Sequence, residues 1–242
     1  MAGKLYIGTS GWQYKHWRGT FYPGNIKVKD HFEYYMKHFD TVEINASFYR
    51  IPTKETFVKW RDKLDECFVY VVKANRYITH FNKLQDIGVS LDTFLTNAAE
   101  LQDKLGPILF QLPPGWEVDT QRLENFLKIL PKDMRYVFEF RNTTWYNDEV
   151  DMLLKQYNCA FCIYQLGGHI SPVKVTANFV YLRLHGPKGK YKGSYSDEML
   201  TEWATHCREW LSDNKDVYVY FDNDEKGYAA FNALKLKELL EK

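Results

Sequence analysis

Two periods of hydrophobic and polar positions alternate along this chain. Short runs rich in Val, Ile, Tyr and Phe lie at residues 5–9, 41–45, 68–73, 108–111, 136–141, 160–165, 179–185 and 217–222. Runs of this length and composition, bounded by turn formers, predict strands. The stretches between them follow a helical period. Leu123, Phe126, Leu127 and Leu130 recur at i, i+3, i+4 and i+7 behind Asp119-Thr120. Met199, Leu200, Trp203, Cys207, Trp210 and Leu211 do so behind Ser196, a good N-cap. Phe57, Trp60 and Leu64 follow Pro52-Thr53, and residues 229–240 close the series. Residues 166–178 are too rich in Gly, Pro and Ser for a full helix, so the sixth crossover is expected to be a loop or a single turn.

Eight strands alternating with helices predict a (β/α)8 TIM-like barrel, its sixth crossover helix short or missing, formed as one domain over residues 1–242. An open doubly wound sheet would usually carry a Gly-rich phosphate loop after its first strand. No G-x-G-x-x-G or P-loop pattern occurs here.

Barrels of this class do their chemistry at the C-terminal ends of the strands. In this chain those ends carry Glu43 and Asn45, then Lys73 with Arg76 and His80 just beyond, then Gln111. They continue with Glu139 and Arg141, Arg183 and His185, and Asp222 with Asn223. Strand side chains alternate between faces, so Glu43 shares a face with Asn45, Glu139 with Arg141, and Arg183 with His185. The intervening Val42 and Ile44, Phe138 and Phe140, Leu182 and Leu184 are apolar and suit the helix-facing side. The charged set is therefore expected at the barrel mouth. Buried ions cost several kcal/mol each unless paired, so part of this set must pair. Polar groups on so many strand ends nevertheless exceed what a core of branched apolar side chains needs, and that points to function.

The balance at these ends leans positive. Lys73, Arg76, Arg141, Arg183 and Lys188, with titratable His80 and His185, stand against Glu43, Glu139 and Asp222. Guanidinium groups recognise phosphate and carboxylate bidentately, so an anionic ligand is expected. Trp12, Tyr14, Tyr49 and Trp145 follow the first, second and fifth strands and supply rings able to stack a base or sugar; loop packing is the other reading of each.

Composition narrows the field. With 45% apolar and 26% charged residues the chain can build a sizeable core without disulfide or metal staples, and packing accounts for most of its 17% aromatic residues. A net charge of +1 argues against a generally basic nucleic-acid coat, although not against a local basic cleft such as the run His185-Gly-Pro-Lys-Gly-Lys-Tyr-Lys192. The opening residues lack the apolar stretch of a signal peptide, and no run of ~18 apolar residues occurs, so a cytoplasmic protein without membrane contact is expected. Cys159 and Cys162 have C-x-x-C spacing, but they fall in a strand, where residues three apart face opposite ways, and no second pair follows. Free buried thiols are the expected outcome.

Several blocks of sequence taken together resemble a known family. They begin with Ile7-Gly-Thr-Ser-Gly-Trp-Gln-Tyr14, with Trp17 and Gly19-x-Phe-Tyr-Pro23 following, and Val42-Glu-Ile-Asn-Ala-Ser-Phe-Tyr-Arg-Ile-Pro52. Lys73-Ala with Ile78-Thr-His80, Leu105-Gly-Pro-Ile-Leu-Phe-Gln-Leu-Pro-Pro114, and Phe138-Glu-Phe-Arg141 with Trp145 come next. Val180-Tyr-Leu-Arg-Leu-His-Gly186 and Val217-Tyr-Val-Tyr-Phe-Asp-Asn-Asp224 with Asn232-Ala complete the series. In this order, over essentially the whole chain, they resemble the YecE-like family, catalogued as domain of unknown function 72. The resemblance implies a TIM-like fold and a bacterial or archaeal cytoplasmic protein, and it carries no reaction with it. Two departures stand out: Asp222 adds a carboxylate where the family often has Asn, and Gln165 ends a strand where an acidic residue is expected.

Three classes of function follow. In the first, an anionic ligand (a nucleotide, another phosphorylated small molecule or a nucleic acid) binds Lys73, Arg141 and Arg183, with Trp12, Asn45, Tyr49, His80, Gln111, Trp145 and Asn223 lining the site. A hydrolase would then use Glu139 or Glu43 as general base and His185 as acid or orienting group. No cofactor is required, and a variant places Mg²⁺ or Mn²⁺ on Glu43, Glu139, His185 and Asp222. Only His80, His169 and His185 lie near strand ends and no H-x-H or H-E-x-x-H occurs, so a multi-zinc site is not expected. The second class, a glycoside hydrolase, needs a carboxylate pair; Glu43 and Glu139 are the candidates, three strands apart, while the fourth and seventh ends carry Gln111 and His185 instead. The third is a module that grips nucleic acid or a metabolite without turnover.

Overall fold

The computed structural model of the chain describes residues 2–64 and 67–241. Its strands are β1 (Leu5–Thr9), β2 (Thr41–Ile44), β3 (Val69–Lys73), β4 (Leu105–Leu112), β5 (Tyr136–Phe140), β6 (Ala160–Leu166), β7 (His169–Ile170), β8 (Phe179–Leu184) and β9 (Asp216–Phe221). The α-helices are α1 (His31–Met36), α2 (Ala46–Tyr49), α3 (Lys54–Arg61), α4 (Gly88–Ala98), α5 (Thr120–Ile129), α6 (Asp148–Gln156), α7 (Asp197–Ser212) and α8 (Tyr228–Leu240). The strands are hydrogen-bonded in the order β1-β9-β8-β6-β5-β4-β3-β2, with β7 off this path on β6. The pairs β1–β9, β3–β4, β4–β5, β5–β6 and β8–β9 are parallel. A single parallel bridge from Ser10 to Glu43 follows the end of β1. This is the (β/α)8 TIM-like class that the alternation of periods predicts.

Local chemistry sets the element boundaries. Thr53, Asp119, Asn147 and Ser196 cap α3, α5, α6 and α7, each side chain accepting from the backbone N–H three residues on. Between β6 and β8 no helix forms among the described residues. Gly167 and Gly168, at φ +60° and +86°, instead turn the chain into β7, which pairs antiparallel with β6. The β4 strand starts three residues earlier than its apolar run suggests. Gly106-Pro107 reads as a breaker, yet it lies in a bulge, where the register passes from Tyr70↔Leu105 to Val72↔Ile108. A Cβ on Gly106 would come within 2.7 Å of Val69 Cγ1, so glycine is required there.

The chain divides into two compact units. One comprises the described parts of Met1–Glu43, Ile163–Val173 and Asn178–Lys242, and the other Ile44–Cys162 with Lys174–Ala177. Each has its own aromatic core. In the first, Tyr6 stacks on Tyr218, and Tyr181 lies against both Tyr218 and Tyr220. In the second, Phe110, Phe138, Phe140 and Trp145 form a continuous stack. The high ring content is thus largely core packing, as expected.

Candidate functional site

The charged residues assemble into two clusters, one in each unit. In the first unit, Glu43 on β2 is fully buried, and both of its oxygens are engaged. Ser10 Oγ donates to Oε1 at 2.6 Å, and Tyr181 Oη donates to Oε2 at 2.5 Å. Arg183 on β8 adds a bidentate pair, Nε to Oε2 at 2.9 Å and Nη2 to Oε1 at 2.6 Å. The same guanidinium places Nη1 3.3 Å from His185 Nε2 and Nη2 3.6 Å from Asp222 Oδ2. A guanidinium has only donors, so His185 Nε2 accepts, and its Nδ1–H points at Asp222 Oδ2, 3.0 Å away. The imidazole is thereby fixed in one tautomer. Tyr14 donates to the Ser10 carbonyl; burial, then the charges of Asp222, Asp224 and Glu43, raise its pKa far beyond the usual phenol range.

This arrangement corrects two expectations for the first unit. Arg183 is not an open anion fork, because its bidentate edge is turned onto Glu43. Nor is Glu43 a ready general base, because four hydrogen bonds occupy its oxygens.

In the second unit, Lys73 ends β3, and its Nζ lies 4.4 Å from the centroid of Phe48. Phe48 is set by the short helix α2: Ser47 Oγ donates to the Lys73 carbonyl at 2.6 Å, and Asn75 Nδ2 donates to the Ser47 carbonyl at 2.9 Å. On the same ring, edge-on at 5.0 Å, sits His80, whose Nδ1 is 2.9 Å from Thr79 Oγ1. Burial, then Lys73, Arg141 and Arg76, push the His80 pKa down to about 4, against the opposing pull of Glu139. Glu139 and Arg141, on one face of β5 and its extension, pair directly with one another. Cys162 Sγ lies 3.8 Å from the other Glu139 oxygen, and Gln111 is the register neighbour of Glu139 on β4.

The remaining candidates disperse. Trp145 is wholly buried, stacked on Phe140 at 5.0 Å, with its indole N–H donated to the Trp116 carbonyl at 2.8 Å, so it presents no ring face to a ligand. Asn223 is also buried and acts as a strut, its amide donating to the Gly193 carbonyl at 2.8 Å and to Asn232 Oδ1 at 2.9 Å. Trp12 is half-buried with its ring against Phe32. Asn45 begins α2, and its side-chain oxygen is buried without a hydrogen-bond partner. Tyr49 is 67% exposed. No group of three or more His, Cys, Asp or Glu side chains able to hold a metal ion occurs among the described residues.

Sequence reasoning missed Ser10, Tyr181 and Phe48 as members of these clusters. For Tyr181 a signal existed, since it shares the β8 face with Arg183 and His185 by the period of two. Phe48 had none, because its place depends on how α2 lies on β3.

Comparison with known proteins adds a family. The family model described as Protein of unknown function DUF72 matches residues 6–242. The chain belongs to this family. Among DUF72-type relatives, it is 27% identical over 271 residues to the UPF0759 protein YunF of Bacillus subtilis, covering 98% of this chain and 95% of that protein. To the UPF0759 protein YecE of Escherichia coli K12 it is 27% identical over 143 residues, covering 59% of this chain and 50% of that protein. A crystal structure of a DUF72 family protein from Thermotoga maritima matches at a TM-score of 0.89 with 27% identity, over 99% of this chain and all of that one. One from Enterococcus faecalis, at a TM-score of 0.81, 20% identity, 98% of this chain and 96% of that one, shares the fold. The ordered sequence blocks and the DUF72 match therefore agree. No helix among the described residues is long and apolar enough to cross a membrane.

Proposed function

We propose that this chain binds a phosphorylated, anionic ligand at the second-unit cluster, where β3 and β5 end. One observation carries the reading: Lys73 and His80 share the Phe48 ring where β3 ends, and around that imidazole the three cations Lys73, Arg141 and Arg76 stand against a single carboxylate, Glu139. Such a field attracts a group bearing two negative charges. Lys73 supplies a point charge for phosphate oxygens, and Arg141, its Nε held by Glu139, adds a second cation to the cluster. A nucleotide, another phosphorylated small molecule or the backbone of a nucleic acid carries the required group. Four free cysteines suit a reducing compartment, and we read the protein as cytoplasmic.

The test is a thermal shift of the purified protein against inorganic phosphate, sugar phosphates, nucleotides, short oligonucleotides and neutral sugars, each with Mg²⁺, with Mn²⁺ and with EDTA. A ligand at about 100 times its Kd adds about 2.7 kcal/mol, which for a domain of this size raises Tm by roughly 5 to 10 °C. The shift should come from phosphorylated ligands and vanish in Lys73→Met and Arg141→Ala. Shifts from neutral sugars alone would overturn the reading.

A second reading, hydrolysis of the bound ligand, draws on Glu139 of the same unit, a buried carboxylate paired with Arg141. Consumption of a ligand that binds, lost in Glu139→Gln with binding retained, would favour it. Binding without consumption would make the chain a module.

A further inference from the structure

We infer that the ligand carries a planar ring that stacks on the exposed Tyr49–Arg76–Phe81 surface, which makes it a nucleotide rather than a sugar phosphate; this rests on the anion-site reading above. Tyr49 and Phe81 are 67% and 66% exposed, and Tyr77 between them in the chain is 46% exposed. Rings of this size usually turn inward, and a contiguous exposed group marks a binding surface. Here the group is organised. The Arg76 guanidinium carbon lies 5.6 Å from the Tyr49 ring centroid and 5.5 Å from that of Phe81, so one cation orders both rings.

The surface is continuous with the anion cluster. Tyr49 meets Phe48 edge-on at 5.2 Å, and Phe48 is the ring that carries both Lys73 and His80. A phosphate held by Lys73 would therefore leave the rest of its ligand beside Tyr49 and Arg76. A sugar hydroxyl has little to gain from those faces, whereas a base presents a π-face of matching size.

The backbone is shaped to hold the rings outward. Residues Tyr77–Phe81 form a single π-helical turn, a conformation that is rare and gathers at functional sites. Within it Ile78 and Thr79 are fully buried while Tyr77 and Phe81 face out. Three non-glycine residues then take left-handed conformations in quick succession: Lys83 at φ +48°, Leu84 at +66° and Asp86 at +50°. Such strain persists only where the surroundings fix it, and here buried Leu84 and Ile87 anchor the loop, the Leu84 N–H bonding to the Ile78 carbonyl at 2.9 Å. A loop that merely connected β3 to α4 would need neither the π-turn nor the left-handed residues.

Isothermal titration of the full chain with AMP, ribose 5-phosphate and inorganic phosphate tests this. The expected result is AMP binding roughly 10- to 100-fold tighter than ribose 5-phosphate, the range a single stacked base supplies. In Phe81→Leu and Tyr49→Leu the two ligands should converge to within about twofold, with ribose 5-phosphate and phosphate unchanged. Both rings are exposed, so an unaltered Tm shows that the variants fold. Equal affinities of the wild type for AMP and ribose 5-phosphate, or a preference for AMP untouched by either variant, would overturn the ring inference while leaving the anion site standing. No binding of any of the three would remove both.

Discussion

Arg183 and Glu43 meet edge to edge in the first unit, the guanidinium presenting Nε and Nη2 to the two carboxylate oxygens at 2.9 and 2.6 Å, with both side chains buried. Neither charge has water to fall back on, so the pair stands or falls together. Removing one partner strands the other, which typically costs 3–5 kcal/mol, whereas removing both with apolar groups of similar volume is often nearly neutral.

The first prediction follows from that asymmetry. Arg183→Met and Glu43→Leu should each destabilise by about 3–5 kcal/mol in urea unfolding, and the double variant should lose much less than their sum. Additive losses would mean that the two side chains do not act as a pair.

A second prediction concerns pH. His80 titrates at about 4 in the fold, below its unfolded value near 6.5. Between these values the unfolded chain binds the proton and the folded chain does not. Stability is therefore complete above about pH 6.5, falls as pH drops toward 4, and levels off below. His80 is partly solvent-accessible, so the effect is on the order of 2 kcal/mol at most. His80→Gln, which cannot take up the proton, should flatten this part of the urea-midpoint profile relative to wild type. A profile parallel to wild type would show that other groups cause the acid loss.

Thiol chemistry gives a third. Cys67 is exposed, while Cys159, Cys162 and Cys207 are buried, and burial pushes the Cys159 and Cys207 thiols up to about 12. The thiolate is the reactive form. A colorimetric thiol reagent should therefore titrate one group in the native protein and four after unfolding in denaturant, and Cys67→Ser should abolish the native signal. Rapid native reaction of Cys159 or Cys162 would revive a redox role for the C-x-x-C spacing.

Much of the fold was legible in the chain because it rests on local periods. Strand runs, helix starts at Thr53, Asp119 and Ser196, and the missing helix after β6 are all set by residues close in sequence. The early start of β4 was not, because a bulge around Gly106-Pro107 depends on the neighbouring strand. In the site, period-two parity put Glu139 beside Arg141 and Arg183 beside His185, and both pairs are in contact.

By itself, then, the sequence determined the alternation of strands and helices, which polar side chains share a face, and the family. Tertiary structure decided the partners and the exposure. Glu43 and Arg183 lie 140 residues apart, and no local rule joins them. Trp145 and Tyr49 read alike as rings after strands, yet one is sealed between Phe140 and Trp116 and the other stands in solvent beside Arg76. Periodicity fixes the direction in which a side chain leaves the backbone; what it meets there is set by elements distant in the chain, as Arg183 meets Glu43.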